Sequence, residues 1–472
     1  MGNSQEFYVN IHCHPSMKPF SRSWDKGKIN SINRKNRNSI WYYNPPSLVD
    51  KLLNYLVGFT KFSQSDFSSS SYGQMRVMVA SLYPIEKSFC LTKLGGECSD
   101  LPLNFITEIG TSRINHIQSS VSQDYFEDLN DEYNFLLELD GKEVMLEGNQ
   151  KFKYVLACSY SQLQAALLQP NTIVIILSFE GAHALGCGID YKLKPANLPT
   201  LLARLAIIKN WKYKPLFITF AHHFYNELCG HAVSLGSLLG SVADQKDGLD
   251  TSFTPLGLEI LDGFLDNTNG KRILIDIKHM SRQARKDYFL LLSTNYKDEK
   301  IPVIVSHGCV VGNGSNQQLF FQGDINFYDD ELIVIAESGG LFGIQLDERR
   351  IASTAELKKA KGNLQRKKIL FDWSRLVWRQ MQHIAEVLDD HGLFSWGTTC
   401  LGTDYDGIID PINGFWTHED MPDLDTYLLM HAHNYLAQPN ALKQARNKTI
   451  HEEEIVSRVM SGNAMEFFKK YL

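Results

Sequence analysis

Residues 172–180 read TIVIILSFE. Apolar side chains fill positions 173–177 and 179 without alternation, Ile and Val predominate, and an acid closes the run. A strand with one face in water alternates apolar and polar; one that is apolar on successive residues suits a parallel sheet covered on both faces. Seven other runs share this character: FYVNI (7–11), MRVMVASLY (75–83), PLFITF (215–220), RILIDI (272–277), PVIVS (302–306), GLFGIQL (340–346) and TTCLGT (398–403). Between them lie helix-like stretches. Residues 198–208 and 255–265 are two; 281–292 opens on an N-cap serine, and 329–336 opens on two acids that suit a helix N-terminus. A long amphipathic pattern over 373–390 stops at His391-Gly392. Strand and helix alternating eight times predict an α/β fold, a (β/α)8 TIM barrel with inserted helical segments. A doubly wound open sheet is the alternative.

The whole chain, 1–472, reads as one barrel domain with insertions at about 21–71, 91–151 and 347–370. The first contains FSQSDFSSSS, which reads as flexible; the second reads as acidic helix; the third, DERRIASTAELKKAKGNLQRKKIL, reads as a solvated lid or helix. A composition of 43% apolar and 21% charged residues excludes a chain too polar to build a core. Lys plus Arg number 47 against 53 Asp plus Glu, net −6, so no basic field exists and nucleic acid is excluded as the main partner. No apolar run approaches the ~18 residues of a membrane span. The start MGNSQEFYVNIHCH lacks the basic and apolar regions of a secretory signal, and a cytoplasmic location is expected. The eight cysteines are dispersed without a CxxC pair and read as reduced, buried thiols, a Cys90–Cys98 pair being the one disulfide considered.

In a parallel barrel the active site lies at the carboxyl ends of the strands. Six of the eight runs finish there with an ionisable residue: His12 and His14 in NIHCHPS, Glu180 in SFEGAHALG, His222 and His223 in FITFAHH, His279 in IDIKHMS, His307 in VIVSHG, and Asp404 and Asp406 in LGTDYDG. Each alone has a bland reading, a core histidine or a turn-capping acid. Placed together on one rim, they point to metal. Neutral imidazole suits zinc and other first-row divalent ions, and a carboxylate can bridge two of them. Four His and one Glu exceed the needs of one open zinc site and suit two ions sharing a carboxylate and a hydroxide, a pair that acidifies water and polarises a carbonyl. Asp404 beside them reads as the proton shuttle and His222 as an oxyanion contact. His431-Ala-His433 lies in a helical pattern, where i and i+2 diverge, and reads as structural. No GxSxG, P-loop or GxGxxG competes; GNGSN (312–316) does not match a phosphate loop.

In their order from residue 10 to 468, NIHCHPS, YGQMRVMVASLYP, SFEGAHALG, ITFAHHFYN, TPLGLEILDGF, ILIDIKHMS, PVIVSHG, SGGLFGIQL, LGTDYDG and SGNAMEFF resemble the membrane (renal) dipeptidase family of the amidohydrolase superfamily. The resemblance implies a binuclear zinc metallopeptidase that cleaves a dipeptide by a metal-bridging hydroxide. His12 and His14 would bind one ion, His279 and His307 the second, and Glu180 both. His222 would contact the substrate, and Asp404 would pass a proton to the leaving amine. A homodimer is expected from the family alone. Three departures stand out. The family's His-x-Asp is here His12-x-His14, and the Asp before it is Asn10. The family's Arg-Asn pair, whose Arg grips the substrate carboxylate, is Ile325-Asn326; Asn326 remains as a substrate-binding candidate, and Lys18 or Arg349 are candidates to replace the Arg. The missing clamp keeps open another amidohydrolase activity, on a lactone or an N-acyl amino acid. A metal-binding homologue without catalysis is the third reading.

Overall fold

The computed structural model describes residues 7–57, 60–91, 100–119, 123–235, 243–363, 365–439 and 442–472. Its strands, in chain order, are β1 (Tyr8–Cys13), β2 (Met75–Leu82), β3 (Val144–Met145), β4 (Lys151–Leu156), β5 (Thr172–Glu180), β6 (Phe217–Thr219), β7 (Leu274–Asp276), β8 (Ile304–Gly308), β9 (Leu341–Ile344) and β10 (Thr399–Leu401). All eight apolar runs are strands. They pair in parallel in the order β1-β2-β5-β6-β7-β8-β9-β10, and Asn10 opposite Leu401 returns β10 to β1. That closure makes the sheet a (β/α)8 barrel and rules out an open doubly wound sheet. The absence of alternation in β5 has its cause here: all nine of its residues are buried.

The helices begin where side chains take up their first amide protons. Asn197, Thr254 and Ser281 cap the helices Leu198–Lys209, Pro255–Leu265 and Arg282–Asn295, accepting from Thr200, Gly257 and Ala284 N–H. The long helix runs Arg366–Asp390, starting seven residues before the expected 373. Two inserted segments differ from expectation. The second contains helices but ends in the β3–β4 hairpin, whose β4 pairs in parallel with the first half of β5. The serine-rich stretch is no flexible loop: it forms the buried helix Phe67–Tyr72, capped by Asp66. Small hydroxyls make this possible, because each finds a partner within the fold; Ser68 donates to Trp41 O, and Ser70 lies 2.9 Å from His418 Nδ1. The 347–370 segment holds the short helices Glu348–Ile351 and Thr354–Ala360, and its Arg350 and Ile351 are buried rather than solvated.

Among the described residues no helix is long and apolar enough to cross a membrane. Cys13, Cys158, Cys187, Cys229, Cys309 and Cys400 are free thiols. Cys98 of the considered Cys90–Cys98 pair lies outside the described residues.

Candidate metal centre

Parallel strands present the same end to the same rim, so residues distant in sequence meet there. His12 lies in β1 and His14 just beyond it; Glu180 ends β5 and His307 lies in β8; His222, His279 and Asp404 each stand three residues past β6, β7 and β10. All seven are buried.

Their side chains converge in two pairs around one carboxylate. His12 and His14 bring their Nε2 atoms to 3.2 Å, and so do His279 and His307. Glu180 turns one oxygen to each pair. Its Oε2 lies 3.0 Å from His14 and 3.7 Å from His12, and its Oε1 lies 3.3 Å from His279 and 3.5 Å from His307. Two nitrogens bound at ~2.0–2.1 Å to one tetrahedral ion stand roughly 3.3 Å apart, so each pair already has the spacing of ligands to a shared ion. Glu180 Oε1 is buried without a hydrogen-bond partner among the described residues, as befits a lone pair meant for a cation. Asp404 faces the same point from another side, with Oδ1 3.5 Å from His14 and 3.7 Å from His12, and Oδ2 3.9 Å from His307. The donor set therefore fits two divalent ions.

Burial by itself would raise the Glu180 carboxyl, yet the facing imidazoles, His222 and His12 foremost, hold it well below the usual carboxylate range. Burial also pushes His279 down to about 3 and His307 well below its ordinary value, leaving those two rings neutral and suited to ligation, whereas at His14 the facing Asp404 and Glu180 carboxylates outweigh burial and raise the ring to about 10.

Groups not singled out in the sequence hold these side chains in place. Glu86, buried after β2, accepts from His222 Nδ1 at 2.7 Å and from Phe224 N–H at 3.1 Å, so that His222 Nε2 stands 3.6 Å from Glu180. Gln345 donates to Asp404 Oδ2 at 2.8 Å. Asp276, ending β7, accepts from the Ser306 hydroxyl at 2.5 Å, and Ser306 Oγ lies 2.8 Å from His307 Nδ1. The hydroxyl proton goes to the carboxylate, so Ser306 accepts from His307 Nδ1–H and leaves Nε2 bare. Asn10 binds the two sides of the barrel closure: its Oδ1 accepts from Thr403 N–H and its Nδ2 donates to Thr403 Oγ1. The amide offers both a donor and an acceptor there, where an ionised carboxylate could only accept, which gives this departure from the family pattern a structural role. His279 and Asp404 have left-handed backbones, φ 66° and 62°, a strain that recurs where side chains are aimed at a site. Gly407 is required beside Asp404: a Cβ there would come within 2.1 Å of Asp404 Oδ1.

Three candidates for binding a substrate carboxylate are committed elsewhere. Lys18 is buried on Asp406 at 3.0 Å and donates to Phe62 O. Arg349 forms a two-pronged pair with Asp347. Asn326 points its amide at the carbonyls of Val310, Phe321 and Arg350, and Ile325 faces the cleft instead. His223, unassigned from sequence, groups with His222 and His279 and lies 2.7 Å from Ser234 Oγ. His431 and His433 diverge, as their helix Met421–Leu436 demands: the first meets Ser374, the second Glu452.

A family model described as membrane dipeptidase, peptidase family M19, matches residues 127–438, about two thirds of the chain. The chain belongs to the membrane dipeptidase family. It is accordingly a metal-dependent hydrolase of dipeptidase type. Solved structures share its fold across nearly the full length. A metallopeptidase from Rhodobacter sphaeroides, liganded with a phosphinate mimic of the dipeptide L-Ala-D-Ala, is 13% identical, with 99% of each chain covered and a TM-score of 0.55. The probable dipeptidase PvdM from Pseudomonas aeruginosa is 12% identical over 99% of this chain and 96% of its own, also at 0.55. The metallopeptidase dipeptidase AC is 12% identical, with 98% of each chain covered and a TM-score of 0.50. No curated protein matches the chain.

Proposed function

We propose that this membrane dipeptidase family member holds two zinc ions and hydrolyses the amide bond of a dipeptide. In this reading His12 and His14 bind one ion, His279 and His307 the other, and Glu180 spans both. The observation that carries it is the division of Glu180, one oxygen to each imidazole pair, with both pairs at the 3.2 Å spacing of shared ligation. When bound, the ions supply Lewis-acid polarisation of the scissile carbonyl and an acidified water. The protein supplies the rest. Asp404, fixed by Gln345, takes up a proton beside both imidazole pairs and returns it to the leaving amine. His222, backed by Glu86, donates from Nε2 to the developing oxyanion. His14 in place of the family's Asp removes one negative charge from the first ion's ligands and leaves Glu180 as the carboxylate shared by both.

A second reading, hydrolysis of a lactone or an N-acyl amino acid, is favoured by the apolar Ile325 facing the cleft. The test is a panel of dipeptides, N-acyl amino acids and lactones with the zinc-loaded protein, together with metal analysis. Dipeptide turnover at two zinc per chain is the expected result. Inert dipeptides beside a lactone or N-acyl compound that turns over would move the assignment to the second reading. Two bound ions with no substrate cleaved would favour an inactive homologue.

A further inference from the structure

The cleft that opens on Glu180, His279 and Asp404 has three cations in its wall, Lys278, Arg349 and Arg350. Arg349 is neutralised by Asp347. The other two make no salt bridge among the described residues; Asp404 acts on both, and Asp347 on Arg350, only at longer range. Lys278 and Arg350 are 1% and 7% exposed. Lys278 Nζ reaches only neutral oxygens at the limit of hydrogen bonding, Gln345 Oε1 at 3.4 Å and Ile325 O at 3.5 Å. Arg350 donates to Ser234 O and lies over the Phe321 ring at 5.3 Å. Among the described residues neither cation has a carboxylate partner. The remaining acids of the wall, Glu180 and Asp404, face imidazoles.

A buried charge without a counterion is costly, and two in one wall cost more. Water reaching the cleft relieves part of this; an anion relieves it fully. A planar guanidinium beside an ammonium suits a carboxylate, which can accept from both at once. Arg350 retains donors beyond the one given to Ser234 O, and Lys278 has three protons for two distant acceptors. Divalent ions at the imidazole pairs would make the cleft more positive still, so a substrate bearing a negative charge is the one it would draw in.

We propose that Lys278 and Arg350 form the anion subsite of this cleft and grip the free carboxylate of the substrate. The inference rests on the dipeptidase reading for the identity of the substrate, and it assigns specificity to two residues that the sequence did not single out. Lys278 stands two residues past β7, and Arg350 lies in the short helix Glu348–Ile351 that follows β9; the fold brings both to one wall.

The test separates binding from turnover. A phosphinate mimic of Ala-Ala and its C-terminal carboxamide are titrated calorimetrically into the zinc-loaded protein. The acid should bind roughly 10- to 100-fold tighter than the amide, the worth of hydrogen bonds to a charged group. Lys278→Met and Arg350→Met should each shrink that ratio about tenfold, with zinc content unchanged, and Arg350→Lys should restore part of it. For dipeptide cleavage the same variants should raise KM far more than they lower kcat. Equal binding of acid and amide by the wild type, or variants that weaken both forms alike, overturns the subsite. Retained acid preference without dipeptide cleavage overturns the dipeptidase reading and leaves the subsite standing. Failure of both forms to bind overturns both.

Discussion

Replacing Ser306 by Ala tests whether the two imidazole pairs hold separate ions. Of the four imidazoles, only His307 has a described partner for Nδ1; the Nδ1 atoms of His12, His14 and His279 have none. The substitution deletes two hydrogen bonds, Ser306 Oγ to Asp276 at 2.5 Å and His307 Nδ1 to Ser306 at 2.8 Å. Asp276 keeps three others, from Thr219 Oγ at 2.6 Å, Ser306 N–H at 2.9 Å and Lys278 N–H at 3.0 Å. The fold should therefore survive with a loss of about 1–3 kcal/mol, the cost of leaving a buried polar group short of a partner. The ring of His307 loses the contact that fixes its tautomer, and loss of such a support weakens metal affinity by about 10- to 100-fold. That corresponds to roughly 1.4–2.7 kcal/mol at about 1.4 kcal/mol per tenfold. Competition with a graded series of chelators reads the affinity of each ion, and urea unfolding of the metal-free protein reads stability. One ion should weaken and the other hold. If both weaken together, or if affinity stays within about twofold, the reasoning from the Asp276–Ser306–His307 chain is wrong.

Glu180→Gln should cost both ions together, because each pair loses the carboxylate oxygen it faces; metal content after dialysis reads this, and retention of two ions would contradict a shared bridge. Asp404→Asn should keep the metals and lower kcat by about 10²- to 10⁴-fold, the worth of a positioned proton-transfer group; turnover near wild type would remove Asp404 from that role. Arg285 is fully buried, pairs with Glu331 and also donates to Met280, Asp324 and Asn326 carbonyls, tying the His279 loop to the loop that follows the neighbouring β8. Arg285→Met should cost about 3–5 kcal/mol in urea unfolding by stranding Glu331, and Glu331→Leu in the same chain should recover part of it. Burial raises the Asp66 carboxyl from 3.8 to about 7, so the folded state holds a proton that the unfolded state has lost, and stability falls as pH rises across that window. Asp66→Asn keeps an acceptor for Ser69 N–H and should flatten this fall, raising stability at pH 8 relative to pH 4; an unchanged pH profile would show that Asp66 does not carry it.

Much of the site was legible because β-strand ends announce themselves. An apolar run such as TIVIILSF that breaks into Glu180 marks both the strand and the rim, and the same break recurs at His12, His279 and His307. Glu86, Gln345 and Ser306 carry no such mark. Glu86 lies in a loop after β2, and its role exists only because His222, 136 residues away, folds onto it. The serine-rich stretch misled for a related reason: hydroxyls read as solvent-seeking until neighbours such as Trp41 O satisfy them.

By itself the sequence determined the periodicity of the strands, their shared direction, and hence which residues stand at the carboxyl-end rim, since these follow from local patterning of apolar and polar groups. Tertiary structure alone decided which rim residues meet. Ring closure of the barrel divides Glu180 between two imidazole pairs, commits Lys18 and Arg349 to acids, and leaves Lys278 and Arg350 facing the cleft without one. The physical reason is that pairing between charges falls off over a few ångströms, a distance set by how strands pack and not by where residues stand along the chain.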